Sequence, residues 1–238
     1  MTARIFDFGV DAVLISFGDQ LSDKANTAAL ALSAAIKAED IGGVAEVSTS
    51  LVSVVVRLDV QQFDRADLIA KLQAMLDRCD WTARPGPKAP RLWEVPCVFG
   101  TDLAPQLAEA AALAGLTPEQ AICALTDRPL RVQTIGFAPG QPYLGRLDPA
   151  WDIPRQTELT SQVPVGALTV AIRQIVLFSV PSPTGWRHVG QTALRLFDPA
   201  RETPVLLRAG DEILFRAVDR AGLEAARAAG GAQVIPWR

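Results

Sequence analysis

Few residues in this chain can do chemistry. His188 is the sole histidine among 238 residues, which excludes paired-histidine metal sites and leaves any Ser-His-Asp triad dependent on it. It lies between Trp186 and Gly190 at the start of an expected strand, either as a general base or substrate donor or as a half-exposed strand histidine, the reading this pattern favours. Arg155 follows Pro154, and a guanidinium on a proline-held loop suits a carboxylate or phosphate clamp, with a solvent-exposed arginine as the alternative. No Gly-x-x-x-x-Gly-Lys-Ser/Thr phosphate loop and no Gly-x-Ser-x-Gly nucleophile elbow occurs. The two methionines, Met1 and Met75, lack the flanking lysine of a biotinylated carrier. Catalysis by this chain alone is therefore not expected.

The densest punctuation is Gly136 to Gly145, which reads Gly-Phe-Ala-Pro-Gly-Gln-Pro-Tyr-Leu-Gly. Pro139-Gly140 suits a type II turn with Gly140 at the position needing positive φ, and Pro142 holds the exit extended. Leu130 to Ile135 alternates as a half-buried strand does and delivers this rigid loop to a sheet edge, where binding sites usually lie.

The elements around that loop read as α+β. Val10 to Phe17 is a first strand, followed by a helix capped by Ser22 and stopped at Gly42-Gly43. Val44 to Val47 and Leu51 to Leu58 form a hairpin turned at Ser48 to Ser50. Asp64 caps a second helix with Leu68, Leu72, Met75 or Leu76, and Cys79 on one side. With Leu92 to Val95 or a nearby segment as last strand, this is a ferredoxin-like split βαβ domain, residues 1–86. Thr82 to Pro90, rich in proline, marks the boundary. The second domain, residues 87–238, opens on Val95 to Phe99 and a helix over Leu103 to Ala114. A second helix follows, with a capping box of Thr117, Pro118 and Gln120.

Short strands are then expected at Leu130 to Ile135, Leu168 to Ile172, Ile175 to Val180, Arg187 to Val189, Ala193 to Phe197, Val205 to Leu207 and Glu212 to Val218. This spacing predicts a closed or nearly closed barrel. Leu223 to Ala229 is a short helix, and Val234 to Arg238 a surface tail.

Composition narrows the partners. A net charge of −3, pI near 5.3 and scattered basic residues give no field for nucleic acid or anionic lipid. Cys79, Cys97 and Cys123 read as buried free thiols of a reducing compartment rather than a metal site. Met1 to Gly9 lacks the apolar core of a signal peptide and Ile175 to Val180 is too short to span a bilayer, so no membrane association and a cytoplasmic location are expected.

Gly-Phe-x-Pro-Gly-x-Pro-Tyr-Leu-Gly with Leu-Asp-Pro behind it, then Ile153-Pro154-Arg155, Val163-Pro164-x-Gly166, Gln174, Ser182-Pro183-x-Gly185-Trp186, Gly190-x-Thr192, Leu196-Phe197-Asp198-Pro199 and Leu207-x-x-Gly210-Asp211 keep one order and spacing. This set resembles the family that holds the B component of 5-oxoprolinase, the first subunit of allophanate hydrolase and the sporulation-kinase inhibitor. The resemblance implies a cyclophilin-like barrel and a non-autonomous subunit of an ATP-dependent amidohydrolase. That enzyme would cleave 5-oxoproline to glutamate, or act like an allophanate hydrolase, with a companion subunit like the C component of 5-oxoprolinase and a third subunit. ATP would belong to the assembled complex, with no metal or biotin on this chain. A protein that inhibits a sensor histidine kinase is the alternative.

In the enzyme reading Arg155 and Gln174 orient substrate, Gln174 being open equally to structural hydrogen bonding. Phe137, Tyr143 and Trp186, the aromatic positions of the signature, line a pocket or, with the larger share, anchor the loop as core. Four departures from the family pattern stand out. Leu125 occupies a histidine position and Gln141 a phenylalanine position; Ile172 and Arg173 stand where glycines are usual, and Leu159-Thr160 replaces a second Pro-Arg.

Overall fold

Strand pairing gives two large sheets, each with its own core, and one two-stranded pair. The computed structural model describes residues 3–61, 64–84 and 88–236, and two compact units cover residues 1–88 and 89–238. Pro85 to Pro87, inside the expected boundary segment, lie outside the described residues, as do Trp237 and Arg238.

The first unit runs β1 (Arg4–Phe8), β2 (Ala12–Ser16), α1 (Asp23–Glu39), β3 (Val44–Ser50), β4 (Ser53–Leu58) and α2 (Arg65–Asp77). Its four strands pair in the order β1-β2-β4-β3, all antiparallel. Both helices begin where local chemistry places them. Ser22 accepts from Ala25 N at 3.2 Å and Asp64 from Ala66 N at 2.6 Å, satisfying amides that have no partner inside the helix. Val13, Ile15, Val54 and Val56 on one sheet face pack against Ala28, Leu32, Ile36, Leu68, Leu72 and Met75 from the helices.

This is the ferredoxin-like sheet with one change. The position expected for Leu92 to Val95 is filled by β1 from the N-terminal side, while residues 92–95 belong to the barrel. Four of the five β1 residues are exposed, so this edge strand carries no buried alternation to read. The hairpin turn falls at Leu51-Val52, with Ser50 opposite Ser53 and Leu51 at φ +48°, not at Ser48 to Ser50. Its partner β3 is likewise an exposed edge whose serines and threonine resemble turn residues. Cys79 and Cys123 are exposed rather than buried; only Cys97 is internal, and burial pushes its thiol pKa well up.

The second unit runs β5 (Leu92–Phe99), α3 (Leu107–Leu113), α4 (Pro118–Thr126), β6 (Leu130–Ile135), β7 (Pro142–Gly145), β8 (Thr160–Val163), β9 (Ala167–Ala171), β10 (Gln174–Leu177), β11 (Ser182–Thr184), β12 (Arg187–Thr192), β13 (Glu212–Ala217), α5 (Arg220–Ala228) and β14 (Gln233–Ile235). The order β12-β9-β10-β7-β6-β13-β5 returns to β12 through a β12–β5 pairing, so seven strands close a barrel. The capping box is present, Thr117 Oγ1 accepting from Gln120 N and Gln120 Oε1 from Thr117 N. Leu144, Trp151, Ile175, Val189 and Phe215 fill the interior, each large apolar side chain contributing about 1.5–3 kcal/mol on burial.

Several boundaries differ from expectation. The helix expected from Leu103 begins only at Leu107, because Pro105 disfavours helical backbone at Ala104. Residues 193–197 and 205–207 make a single bridge, Phe197 to Val205, instead of two strands, yet Leu194, Leu196 and Leu207 are buried in the barrel core. The expected tail contains β14, which pairs with β5 through Gln233 and Glu94. Two short strands, β8 and β11, form a separate pair. Among the described residues no helix is long and apolar enough to cross a membrane.

Candidate functional site

The signature loop is the connection between β6 and β7, where Ile135 faces Pro142. Gln141 N donates to Ala138 O at 3.1 Å and Gly136 N to Gln141 O at 3.0 Å. The first bond closes a four-residue turn with Pro139 second and Gly140 third at φ +72°, the expected type II arrangement. Gly140 is buried, and Pro142 starts β7 with its ring buried. Gly145 ends β7 close to Gln133, whose Oε1 would lie 3.0 Å from an added Cβ.

Phe137 leaves this frame altogether. At φ +71° and 81% exposed, its ring points away from the core, which overturns its reading as a loop anchor. Tyr143 and Trp186 do meet, edge to face, with ring centroids 6.3 Å apart. The Arg155 guanidinium sits 5.4 Å from the Trp186 ring centroid on the exposed surface, so these three residues form one wall. Arg187 holds the loop behind it, donating through Nη1 to Pro154 O at 2.6 Å and through Nε to Glu109 Oε1 at 2.8 Å. Gln174 is buried and donates to Gln133 Oε1 at 2.9 Å, which engages it in a side-chain ladder across β10, β7 and β6.

The family's glycine positions at the β9–β10 turn retain glycine-like backbone without glycine. Ile172 and Arg173 have φ +45° and +63°, with Ala171 opposite Gln174. Backbone bonds from Ile172 N to Ile153 O and Arg173 N to Trp151 O, at 2.8 and 2.9 Å, hold a conformation unusual for a β-branched residue. Leu125 fills its histidine position as wholly buried core, and Gln141 is buried with Oε1 unpartnered.

None of the five residues expected to bind substrate lines a cleft of about 760 Å³ built by the 102–106 segment, β8, β12 and α5. His188 and Gln191 form its floor, only 5% and 6% exposed. His188 is thus buried, not half-exposed, and desolvation lowers its pKa below the ordinary histidine value. A register shift between His188 and Gly190 brings His188 and Gln191 to one face at a spacing that strict alternation would divide. Gln106 Oε1 accepts from His188 N at 2.8 Å, and Gln106 Nε2 donates to Gln156 Oε1 at 2.6 Å. Gln156 in turn reaches Trp186 O at 3.2 Å, so amides link the cleft to the aromatic wall.

The polar groups of the cleft come from four separate segments, which is why no stretch of sequence announces it. Gln191 stands at the open position of Gly190-x-Thr192, and that motif and the lone His188 were the local signals. Asp102 is exposed, and its hydrogen bonds from Arg220, at 2.7 and 2.8 Å, lower its pKa. Arg227 pairs with Glu224 at 2.7 Å, leaving the rim balanced in charge. Among the described residues no group of three His, Cys, Asp or Glu side chains could hold a metal.

A family model described as carboxyltransferase domain, subdomain C and D, matches residues 3–207. The chain belongs to that family. This carboxyltransferase-domain chain is 29% identical over 224 residues to the B component of 5-oxoprolinase from Bacillus subtilis (strain 168), covering 90% of this chain and 93% of that one. Crystal structures of TTHA0988 superpose with a TM-score of 0.72 at 29% identity over 87% of this chain. That match spans only 40% of the TTHA0988 chain. The Kluyveromyces lactis urea amidolyase shares the fold at a TM-score of 0.73 and 16% identity, over 98% of this chain and 16% of that one.

Proposed function

We propose that this chain is a non-autonomous subunit of an ATP-dependent amidohydrolase that opens 5-oxoproline to glutamate, working with a companion like the C component of 5-oxoprolinase and a third subunit. The observation that carries this reading is the nearly end-to-end match to the B component of a 5-oxoprolinase. Its polar groups suit amide recognition better than autonomous hydrolysis. His188 lacks a nucleophile–base–orienter arrangement among its hydrogen-bond partners, which are amide and backbone groups.

ATP fits this chain poorly. The cleft arginines are already matched by carboxylates, and no phosphate-cradling glycine loop occurs. We place nucleotide use in the assembled complex, as the family resemblance implies. Coexpression with the companion subunits should yield ATP-dependent glutamate release that the isolated chain lacks. A complete complex inert toward 5-oxoproline, urea derivatives and related amides would end this reading.

Within that complex, Arg155 is placed to meet an anionic group at the surface, since its guanidinium is stacked on Trp186 without an ion-pair partner among the described residues. Arg155→Ala should lower assembled turnover by roughly tenfold, the value of one charge-assisted hydrogen bond. Melting should report a stability change within about 0.5 kcal/mol, as expected for an exposed side chain. Unchanged turnover would remove Arg155 from the site.

A further inference from the structure

A second cleft, of about 500 Å³, opens where the chain leaves β12, and Arg195, Arg201 and Arg227 line it with no acidic side chain among the lining residues. Their side chains are between 38% and 70% exposed, so all three guanidinium groups are open to solvent. Counter-charge is short here. Arg195 Nη1 and Arg201 Nε both lean on one oxygen of Asp198, Oδ2, at 3.5 and 3.6 Å, and the longer distance is no hydrogen bond. The other oxygen, Oδ1, accepts from Ala200 N at 3.1 Å. One carboxylate therefore serves two cations. Arg227 brings its own partner, Glu224 at 2.7 Å, and adds N–H groups to the cleft rather than charge.

Unused donors surround the same space. A guanidinium carries five N–H groups in a fixed plane. Arg195 spends Nη1 on Asp198, Arg201 spends Nη1 on Arg195 O at 3.2 Å, and Arg227 spends Nη1 on both oxygens of Glu224. Among the described residues, Nη2 of all three meets no acceptor.

The two arginines that share Asp198 are also held in place. Arg201 N donates to Asp198 O at 3.2 Å and Asp198 N to Pro204 O at 2.9 Å, closing a loop across the Phe197–Val205 bridge. The C-terminal end of α5 would oppose an anion if its carbonyls were bare. They are capped instead, Ala229 N, Gly230 N and Gly231 N donating to Ala225 O, Arg227 O and Ala226 O at 3.1, 3.3 and 2.7 Å.

We propose that this cleft binds a small oxyanion, a carboxylate or phosphate group, between Arg195 and Arg201, with Arg227 as a third donor. Both oxyanions match the planar fork of a guanidinium, and an oxyanion supplies the negative charge that a single shared carboxylate leaves short. The assignment stands apart from the amidohydrolase reading, which places no anion here.

The test uses the full chain with 15N-labelled arginine side chains. Sodium phosphate should move the Nε signals of Arg195 and Arg201 beyond the shift given by sodium chloride of equal ionic strength. Arg128, paired with Asp148 at 2.7 Å outside the cleft, should stay in place. Glutamate and 5-oxoproline form a second arm, against 2-pyrrolidinone, which lacks a carboxylate. Movement with the two acids and not with the lactam identifies a carboxylate site, and a stronger response to phosphate identifies a phosphate site.

Arg201→Gln should weaken binding of the preferred anion roughly tenfold, the loss of one charge-assisted hydrogen bond, without lowering the melting temperature. Arg201→Lys, which keeps the charge and loses the fork, should fall between. If Arg201→Gln, which also removes the bond to Arg195 O, fails to fold, Arg195→Gln takes its place, since that side chain meets only Asp198. Added salt should weaken binding, because the guanidinium groups are exposed. Arg195 and Arg201 signals that respond to phosphate and glutamate no more than to chloride overturn the proposal. So does an equal response at Arg128, or undiminished binding in both glutamine variants.

Discussion

Replacing Asp211 by alanine should cost roughly 3–5 kcal/mol, the usual penalty for removing one partner of a buried ion pair. Its side chain is fully buried, and it receives Arg91 through Nε at 3.1 Å and Nη2 at 2.6 Å. Trp93 Nε1 at 3.3 Å and Arg208 N at 2.9 Å donate to the same carboxylate. Alanine would strand a cation that is itself nearly three-quarters buried, with a side-chain exposure of 28%, together with an indole and a backbone N–H.

Position in the barrel raises the stakes. Glu212 N donates to Arg91 O at 3.0 Å and Val132 N to Asp211 O at 2.8 Å, so the pair sits where β5, β6 and β13 are joined. Asp211→Asn, which can keep some hydrogen bonds but not the charge, should fall between wild type and alanine. Urea unfolding followed by tryptophan fluorescence would measure this, with two transitions allowed for because the chain has two units. A loss below about 1 kcal/mol would show that the network is better solvated than its burial indicates.

Gly140→Val should cost roughly 2–4 kcal/mol, from left-handed backbone strain combined with overpacking. At φ +72° an added Cβ would lie 2.9 Å from Leu196 O and 3.3 Å from the Phe197 side chain. The close atom is backbone, held in turn by Leu206 N at 3.0 Å, so it cannot move as a side-chain tip could. Gly136 supplies the control in the same loop. It has no neighbour within 4 Å of a built Cβ and no positive φ, so Gly136→Ala should change stability by no more than about 0.5 kcal/mol. Equal melting of the two variants would show that the loop is soft and the turn unimportant.

Local chemistry in the sequence determined the type II turn at Pro139-Gly140, the caps at Ser22, Asp64 and Thr117, the two-domain α+β class and the run of motifs that marks the family. Each of these depends on residues within a few positions of one another, where proline and glycine geometry or a side-chain oxygen settles the backbone. The five chemistry-bearing residues chosen from the loop and its matches were only partly gathered. Arg155, Tyr143 and Trp186 share a wall, Gln174 is engaged with Gln133, and Phe137 stands apart in solvent.

Tertiary structure alone decided the rest. Exposed edges such as β1 and β3 carry no buried stripe, so their pairing is invisible to alternation; Gln233 to Ile235 becomes a strand only because β5 offers an open edge beside them. The cleft is the clearest instance. Alternation sends residues 188 and 191 to opposite faces of a strand, and the β12 bulge returns them to one. Burial of His188 then depends on β8, α5 and the 102–106 segment closing over it from elsewhere in the chain. Burial there lowers the imidazole's pKa, because desolvation is a property of what surrounds a residue and not of its neighbours in sequence.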